Sequence, residues 1–305
     1  MNLLVNFLAY VVGIPILAGL FCLVIPERLK ILTRLLAFIV TLVSLAATVR
    51  IFILKPMYWP PVPVPAFIVD NLSALAGLGI SFFALVVTVY SFGYIEKNNG
   101  KYFGYLLMTL GSALGAVFAN NLILLVVFWG ILPALLYLLV TLRQTIAASA
   151  SAKKALIIIG ATDALMIFGI GLLWKMTGTF AMDGMHIALD GVLPYAAFLC
   201  ILIASFAKAG AVPFHSWLPD VAEDSSASVA AYLPASLDKL LGIYLLARIS
   251  LNLFVMNGIS NTVLLVVGAS TIIFAVAIAL VQHDFKRLLG YHAVSQVGYM
   301  ILGIG

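Results

Sequence analysis

Apolar runs long enough to cross a lipid bilayer follow one another along almost the whole chain, and this succession constrains the fold more than any other feature. As a helix, one hydrocarbon core takes roughly 20 such residues. Against that length the chain reads as about ten spans, at 3–25, 35–54, 72–95, 102–119, 122–142, 155–176, 193–214, 229–251, 260–282 and 286–305. Of the 305 residues, 64% are hydrophobic and 9% charged, whereas a soluble domain is about half apolar and about a quarter charged. No soluble fold hides that much apolar surface, so lipid must be the solvent. The expected fold is an all-α integral membrane protein.

The connectors fit that reading. Pro26 to Arg34 is charged, Lys55 to Ala66 is too rich in proline for regular helix, and Thr177 to Leu193 is polar enough to lie outside the bilayer. No linker or composition shift suggests a second domain, so 1–305 reads as a single membrane domain. The first run lacks a basic leader and continues to Ile25, so it reads as a retained span rather than a signal peptide. Connectors after odd-numbered spans carry Arg28, Lys30, Arg34, Lys97, Lys101, Arg143, Lys153, Lys154, Lys286 and Arg287. Those after even-numbered spans carry Arg50, Lys55, Lys175 and Arg248. The asymmetry puts the odd connectors in the cytoplasm and the N-terminus outside. The net charge of +5 is thus a product of membrane topology and not a nucleic-acid footprint.

Several chemistries are excluded. Cys22 and Cys200 sit in separate apolar runs and read as small buried hydrophobes. They offer neither a disulfide framework nor a zinc site, and iron–sulfur ligation needs more cysteines than two. His186, His215, His283 and His292 have no metal-ligand spacing. Glycine-rich phosphate loops, GxSxG and HExxH are absent.

The positive signal comes from helix breakers and charges at membrane depth. Span five holds Gly130 and Leu132-Pro133, and span seven ends in Gly210-Ala211-Val212-Pro213. Breaks at such depth persist where protein or a wet cavity satisfies the freed backbone groups, and with charges beside them they typify ion sites. Lys239 falls about 15 Å into span eight, near the midplane, where an unpaired ammonium costs several kcal/mol. It must meet water or an acid or give up its proton, and a lysine poised in that way suits a proton relay as well as a structural ion pair. Lys208, five residues before Pro213, reads either as a proton-carrying site at a broken helix or as a long side chain reaching the interface. Asp163, mid-span six, is the acid best placed by depth to pair with a lysine, or it bonds neighbouring hydroxyls. Asp238 adjoins Lys239, but sequence neighbours point about 100° apart, so Asp238 is expected to meet another helix. His292 and Ser295 share a face of span ten, as a proton link or as packing. His215, Asp220, Glu223 and Asp224 cluster after the break, as a solvated mouth or as a funnel through which protons enter.

The segment KAGAVPFHSWLPD, from Lys208 to Asp220, resembles the most recognisable motif of the antiporter-like membrane subunits of respiratory complex I, energy-converting membrane-bound hydrogenases and multisubunit cation/proton antiporters. LPASLDKLLGIYLLAR from Leu233 and DFKRLLGYHAVSQVGYM from Asp284 resemble the eighth and tenth helices of that family, and Asp70-Asn71-Leu72-Ser73 the start of the third. The resemblance implies N-terminal helices over 1–95, one complete five-helix repeat with broken helices over 96–258, and over 259–305 the start of a second, inverted repeat; either the subunit is short or split, with a neighbouring chain as a source of the rest, or the chain is truncated. It implies proton or sodium ion translocation in the membrane arm of a redox complex, with Lys208, Lys239, Asp163, Asp238 and His292 as relay groups. Alternatives are an antiporter component with no redox partner and a non-pumping scaffold. No cofactor is expected in this chain; iron–sulfur clusters, nickel or flavin belong to peripheral redox subunits, and the other partners are membrane subunits in a bacterial or archaeal cytoplasmic membrane. One departure stands out. The family usually carries a glutamate after Phe-Trp in the fifth helix, where this chain has Gly130.

Overall fold

The structure, a computed structural model, describes residues 2–54 and 66–305. The proline-rich connector from Lys55 therefore lies outside the described residues, apart from Ala66. Each expected span is helical. The first five are α1 (Asn2–Val24), α2 (Lys30–Leu54), α3 (Asn71–Tyr94), α4 (Asn99–Phe118) and α5 (Leu122–Thr141). The sixth is α6 (Ile146–Thr177), and the seventh is α7 (Val192–Ala209), followed by the short α8 (Trp217–Asp224). The eighth is composite: α9 (Ala227–Tyr232), a π-helical turn over Leu233–Leu237, α10 (Asp238–Arg248) and a second π-helical turn over Ile249–Leu253. The last two are α11 (Gly258–Ala279) and α12 (Phe285–Ile304). Strands β1 (Ile187–Ala188) and β2 (Phe254–Val255) pair in parallel and tie the loop after α6 to the end of the eighth span.

Eight of the expected spans are apolar enough to cross a membrane by length and composition alone. The exceptions, α4 and α12, are 20 residues each, about 30 Å long. Nearly every residue of α4 from Asn99 to Phe118 is buried, so protein rather than lipid surrounds it and its composition need not be lipid-like. α12 opens with Phe285-Lys286-Arg287, which dilutes its apolar run.

Helix ends follow local sequence. Asp70 caps α3 through a capping box: Ser73 N donates to Asp70 Oδ1 at 2.8 Å and Asp70 N to Ser73 Oγ at 2.9 Å. α6 starts at Ile146, ahead of the expected 155, because Thr145 accepts from Ala148 N at 3.1 Å and the alanine-rich stretch after it favours helix. The span thus projects beyond its apolar part and carries Lys153 and Lys154 on the helix itself. α5 runs unbroken through Pro133, so the proline in span five does not divide the helix.

Contacts group the chain into two compact units, Met1–Leu142 and Arg143–Gly305. In the first, α1 lies against α4 at glycine contacts: a Cβ on Gly104 would stand 2.9 Å from Gly19 O, and one on Gly111 2.7 Å from Val12 O. Backbones approach that closely only through small residues, the usual basis of helix association in lipid. In the second, α6 packs on α7, α7 on α10, α8 on α6 and α12, and α11 on α12.

Candidate functional site

The seventh span breaks where its sequence contains a helix terminator. Gly210 adopts φ +83°, the left-handed conformation that ends α7, and Gly210 N and Ala211 N both donate to Phe206 O, at 2.9 and 2.8 Å. The chain then passes through a cis Val212-Pro213 bond and a 3₁₀ turn into α8. Trp217, fully buried, donates its indole N–H to Ala207 O at 2.9 Å and satisfies a carbonyl of the last turn of α7.

Lys208 sits in that last turn, 0% exposed. A helix C-terminus is the negative end of the dipole and favours a cation. The Lys208 Nζ lies 3.7 Å from Asp238 Oδ1, and Asp238, the first residue of α10, is 1% exposed. Asp238 thus meets another helix, as expected, while Lys239 points elsewhere: it is half-buried and forms no ion pair among the described residues. Asp163 is buried on α6 at 8% exposure and lies within electrostatic reach of Asp238. Depth and sign favour Asp163 as the partner of a lysine, and Asp238 is a second acid buried close to it. Depth does not distinguish acids on two different helices, so the Asp238 pairing was not legible.

His292 does not join this cluster. It is exposed on α12, with its Nε2 3.4 Å from Gln296 Nε2, whereas Ser295 is 2% exposed. The three-residue spacing leaves them on opposite margins of one face. His215 lies just past the break with its ring edge-on to Phe274 at 5.3 Å.

The acids after the break are clamped by cations. Asp220 meets Lys154 at 2.7 Å and Arg287 at 3.4 Å, Glu223 meets Arg287 at 2.9 Å, and Asp224 accepts from Ser151 Oγ. Arg143 donates to Glu223 O and Asp224 O at 3.1 and 2.8 Å, and Lys286 to Glu223 O and Ser225 O at 2.5 and 2.6 Å. These last bonds satisfy carbonyls that the C-terminal end of α8 leaves open. The capping roles of Arg143 and Lys286 were missed because they depend on residues 61 to 81 positions away. Arg248, counted above among connector residues, is buried at 5% within α10 and bonds Tyr244 Oη at 2.9 and 3.1 Å and Asn252 Oδ1 at 3.2 Å. The i, i+4 spacing of Tyr244 and Arg248 was a usable signal.

On α5, Gly130 is exposed, and a Cβ there would meet no described atom within 4 Å. Among the described residues no group of His, Cys, Asp and Glu side chains could hold a metal ion.

A multi-pass helical bundle with a lysine–aspartate pair buried beside a broken helix defines an integral membrane protein built around intramembrane charge. The chain belongs to the family described as NADH:quinone oxidoreductase/Mrp antiporter, TM, which matches residues 119–305. It is 35% identical over 229 residues to Na(+)/H(+) antiporter subunit A1 of Staphylococcus epidermidis, covering 72% of this chain and 28% of that protein. It is 31% identical over 323 residues to the chloroplastic NAD(P)H-quinone oxidoreductase subunit 5 of Spinacia oleracea, covering 96% of this chain and 43% of that protein. The chain therefore spans less than half the length of either relative. A chain of the Mrp complex from a Dietzia species shares the fold with a TM-score of 0.88 at 23% identity, covering 100% of this chain and 59% of that one.

Proposed function

We propose that this chain is an ion-translocating subunit in the membrane part of a multisubunit complex, moving protons or sodium ions through relay groups in its second compact unit. The observation that carries this reading is the Lys208–Asp238 pair, both side chains at most 1% exposed, at the end of a helix that breaks inside the membrane. Removing two charges from water and placing them in lipid is costly, and in membrane helices such residues mark ion pathways. In this scheme Lys208 and Asp238 exchange a proton within the pair, Asp163 supplies a second negative charge, and Lys239 is the next acceptor along α10. Asp220, Glu223, Asp224 and His215 form the approach, and His292 faces a neighbouring subunit as an onward link. The odd connectors lie in the cytoplasm of a bacterium or archaeon and the N-terminus lies outside. Redox chemistry, with its iron–sulfur clusters, nickel or flavin, resides in peripheral partners.

The similarity to an antiporter subunit supports a second reading, exchange of sodium for protons with no redox partner. The test is ion uptake into sealed vesicles holding the assembled complex, wild type against Lys208→Ala and Lys239→Ala, with turnover recorded in parallel. Loss of uptake in assembled variants supports the relay; unchanged uptake replaces it with a scaffold role. Uptake that requires an electron donor favours the redox complex, and uptake driven by a sodium gradient alone favours the antiporter.

A further inference from the structure

The Lys208–Asp238 pair does not stand alone between α7 and α10. One helical turn away, Ser205, 0% exposed, donates its hydroxyl to Gly242 O at 2.8 Å. Ser205 precedes Lys208 by three residues and Gly242 follows Asp238 by four, so each pair shares one face of its helix. With the helices running in opposite directions, Ser205–Gly242 and Lys208–Asp238 are successive rungs of one ladder. At the same level a Cβ on Gly242 would collide with the Ala209 backbone nitrogen and come within 2.7 Å of Ala209 Cα. The two backbones are in contact there, and no residue but glycine fits.

The ion pair beside this contact is wide. Its 3.7 Å separation exceeds the 2.7–2.9 Å, roughly, of a charge-assisted hydrogen bond. Neither side chain reaches solvent, so how closely the two backbones are held limits how the pair can adjust. On the N-terminal side of Asp238 lies the π-helical turn over Leu233–Leu237, in which Ser236 donates to Ala231 O at 2.7 Å. On its C-terminal side the first fixed point is the Gly242 contact.

We infer that Ser205 and Gly242 are positioning residues that hold the helices carrying Lys208 and Asp238 at the spacing of their ion pair, which at 3.7 Å is wider than a charge-assisted hydrogen bond. This rests on the relay reading above. The other charged groups near the pair are Asp163 on α6 and Lys239 on α10. On α8, Asp220 and Glu223 are tied to Lys154 and Arg287, and Asp224 to Ser151. α11 carries no charged residue, and α12 contributes Lys286 and Arg287 at the clamp and the exposed His292. None of these reaches the Ser205–Gly242 rung, so a change there acts on the pair through its spacing.

The experiment measures ion uptake against pH in vesicles holding the assembled complex, for wild type, Ser205→Ala, Ser205→Thr, Gly242→Ala and Lys208→Ala. Gly242→Ala pushes α10 away from α7, and Ser205→Ala removes the rung without adding bulk. In both, the buried ammonium is less well compensated, so uptake at high pH falls relative to uptake at low pH, and the profile moves by about one pH unit. Ser205→Thr keeps the hydroxyl and restores the wild-type profile. If Gly242→Ala prevents assembly, Ser205→Ala and Ser205→Thr carry the test by themselves. Superimposable profiles for Ser205→Ala and wild type, with uptake abolished by Lys208→Ala, overturn the spacer role and leave the relay standing. Full uptake in Lys208→Ala overturns the relay and the spacer together.

Discussion

The two compact units bury polar groups in different ways. Among the described residues of the first, every buried polar side chain is uncharged. Most are hydroxyls, and several bond within their own helix: Thr41 to Ala37 O at 2.8 Å, Thr48 to Ser44 O at 3.0 Å, Thr88 to Ala84 O at 2.7 Å and Thr109 to Tyr105 O at 2.7 Å. Such groups need no partner helix, and close glycine contacts do the packing. The second unit buries Asp163, Lys208, Asp238 and Arg248. A hydroxyl satisfied at home leaves the helix free to be shaped by packing, whereas a buried charge obliges a polar or charged partner to answer it. The first unit thus buries only uncharged polar groups, whereas in the second Lys208 and Asp238 answer each other across two helices and Arg248 is met by Tyr244 and Asn252 of its own span.

The sharpest way to break that contrast is to remove one charge. Asp238→Ala leaves Lys208 buried without the carboxylate at 3.7 Å, and breaking a buried pair costs about 3–5 kcal/mol. The expected outcome is a lower thermal midpoint in detergent or loss of the assembled complex. The double variant Lys208→Met/Asp238→Leu should recover most of that stability while abolishing uptake. In the first unit the damaging change is steric. Gly111→Ala forces a methyl group against Val12 O, 2.7 Å away, and overpacking of this kind costs about 1–3 kcal/mol. Its midpoint should fall at every pH alike, whereas the effect of Asp238→Ala should vary with pH.

Gly130→Ala should do the opposite. Its Cβ meets no described atom within 4 Å, and replacing glycine inside a helix gains about 0.5–1 kcal/mol, visible as a small rise in the midpoint. A fall would mean that an unseen neighbour packs against that face of α5. The smallest effect is expected at the clamp on α8. Arg287 is 38% exposed, and such pairs contribute below about 1 kcal/mol and are screened by salt. Arg287→Ala should matter at low ionic strength and vanish at high salt. An effect that persists in high salt would place the clamp with the buried charges.

Apolar run length in the sequence settled the number and order of the spans, because lipid demands about 20 apolar residues per crossing whatever packs beside them. It also marked the break after Lys208, since Gly210 and Pro213 act through their own backbones. Asp238 was legible as a residue that must reach another helix, but Ser205–Gly242, the caps from Arg143 and Lys286, and the choice of Lys208 as partner were not. Each of these depends on which helix faces which. Periodicity shows the face a residue occupies, while only the close approach of α7 and α10 at Ala209 and Gly242 decides what that face meets.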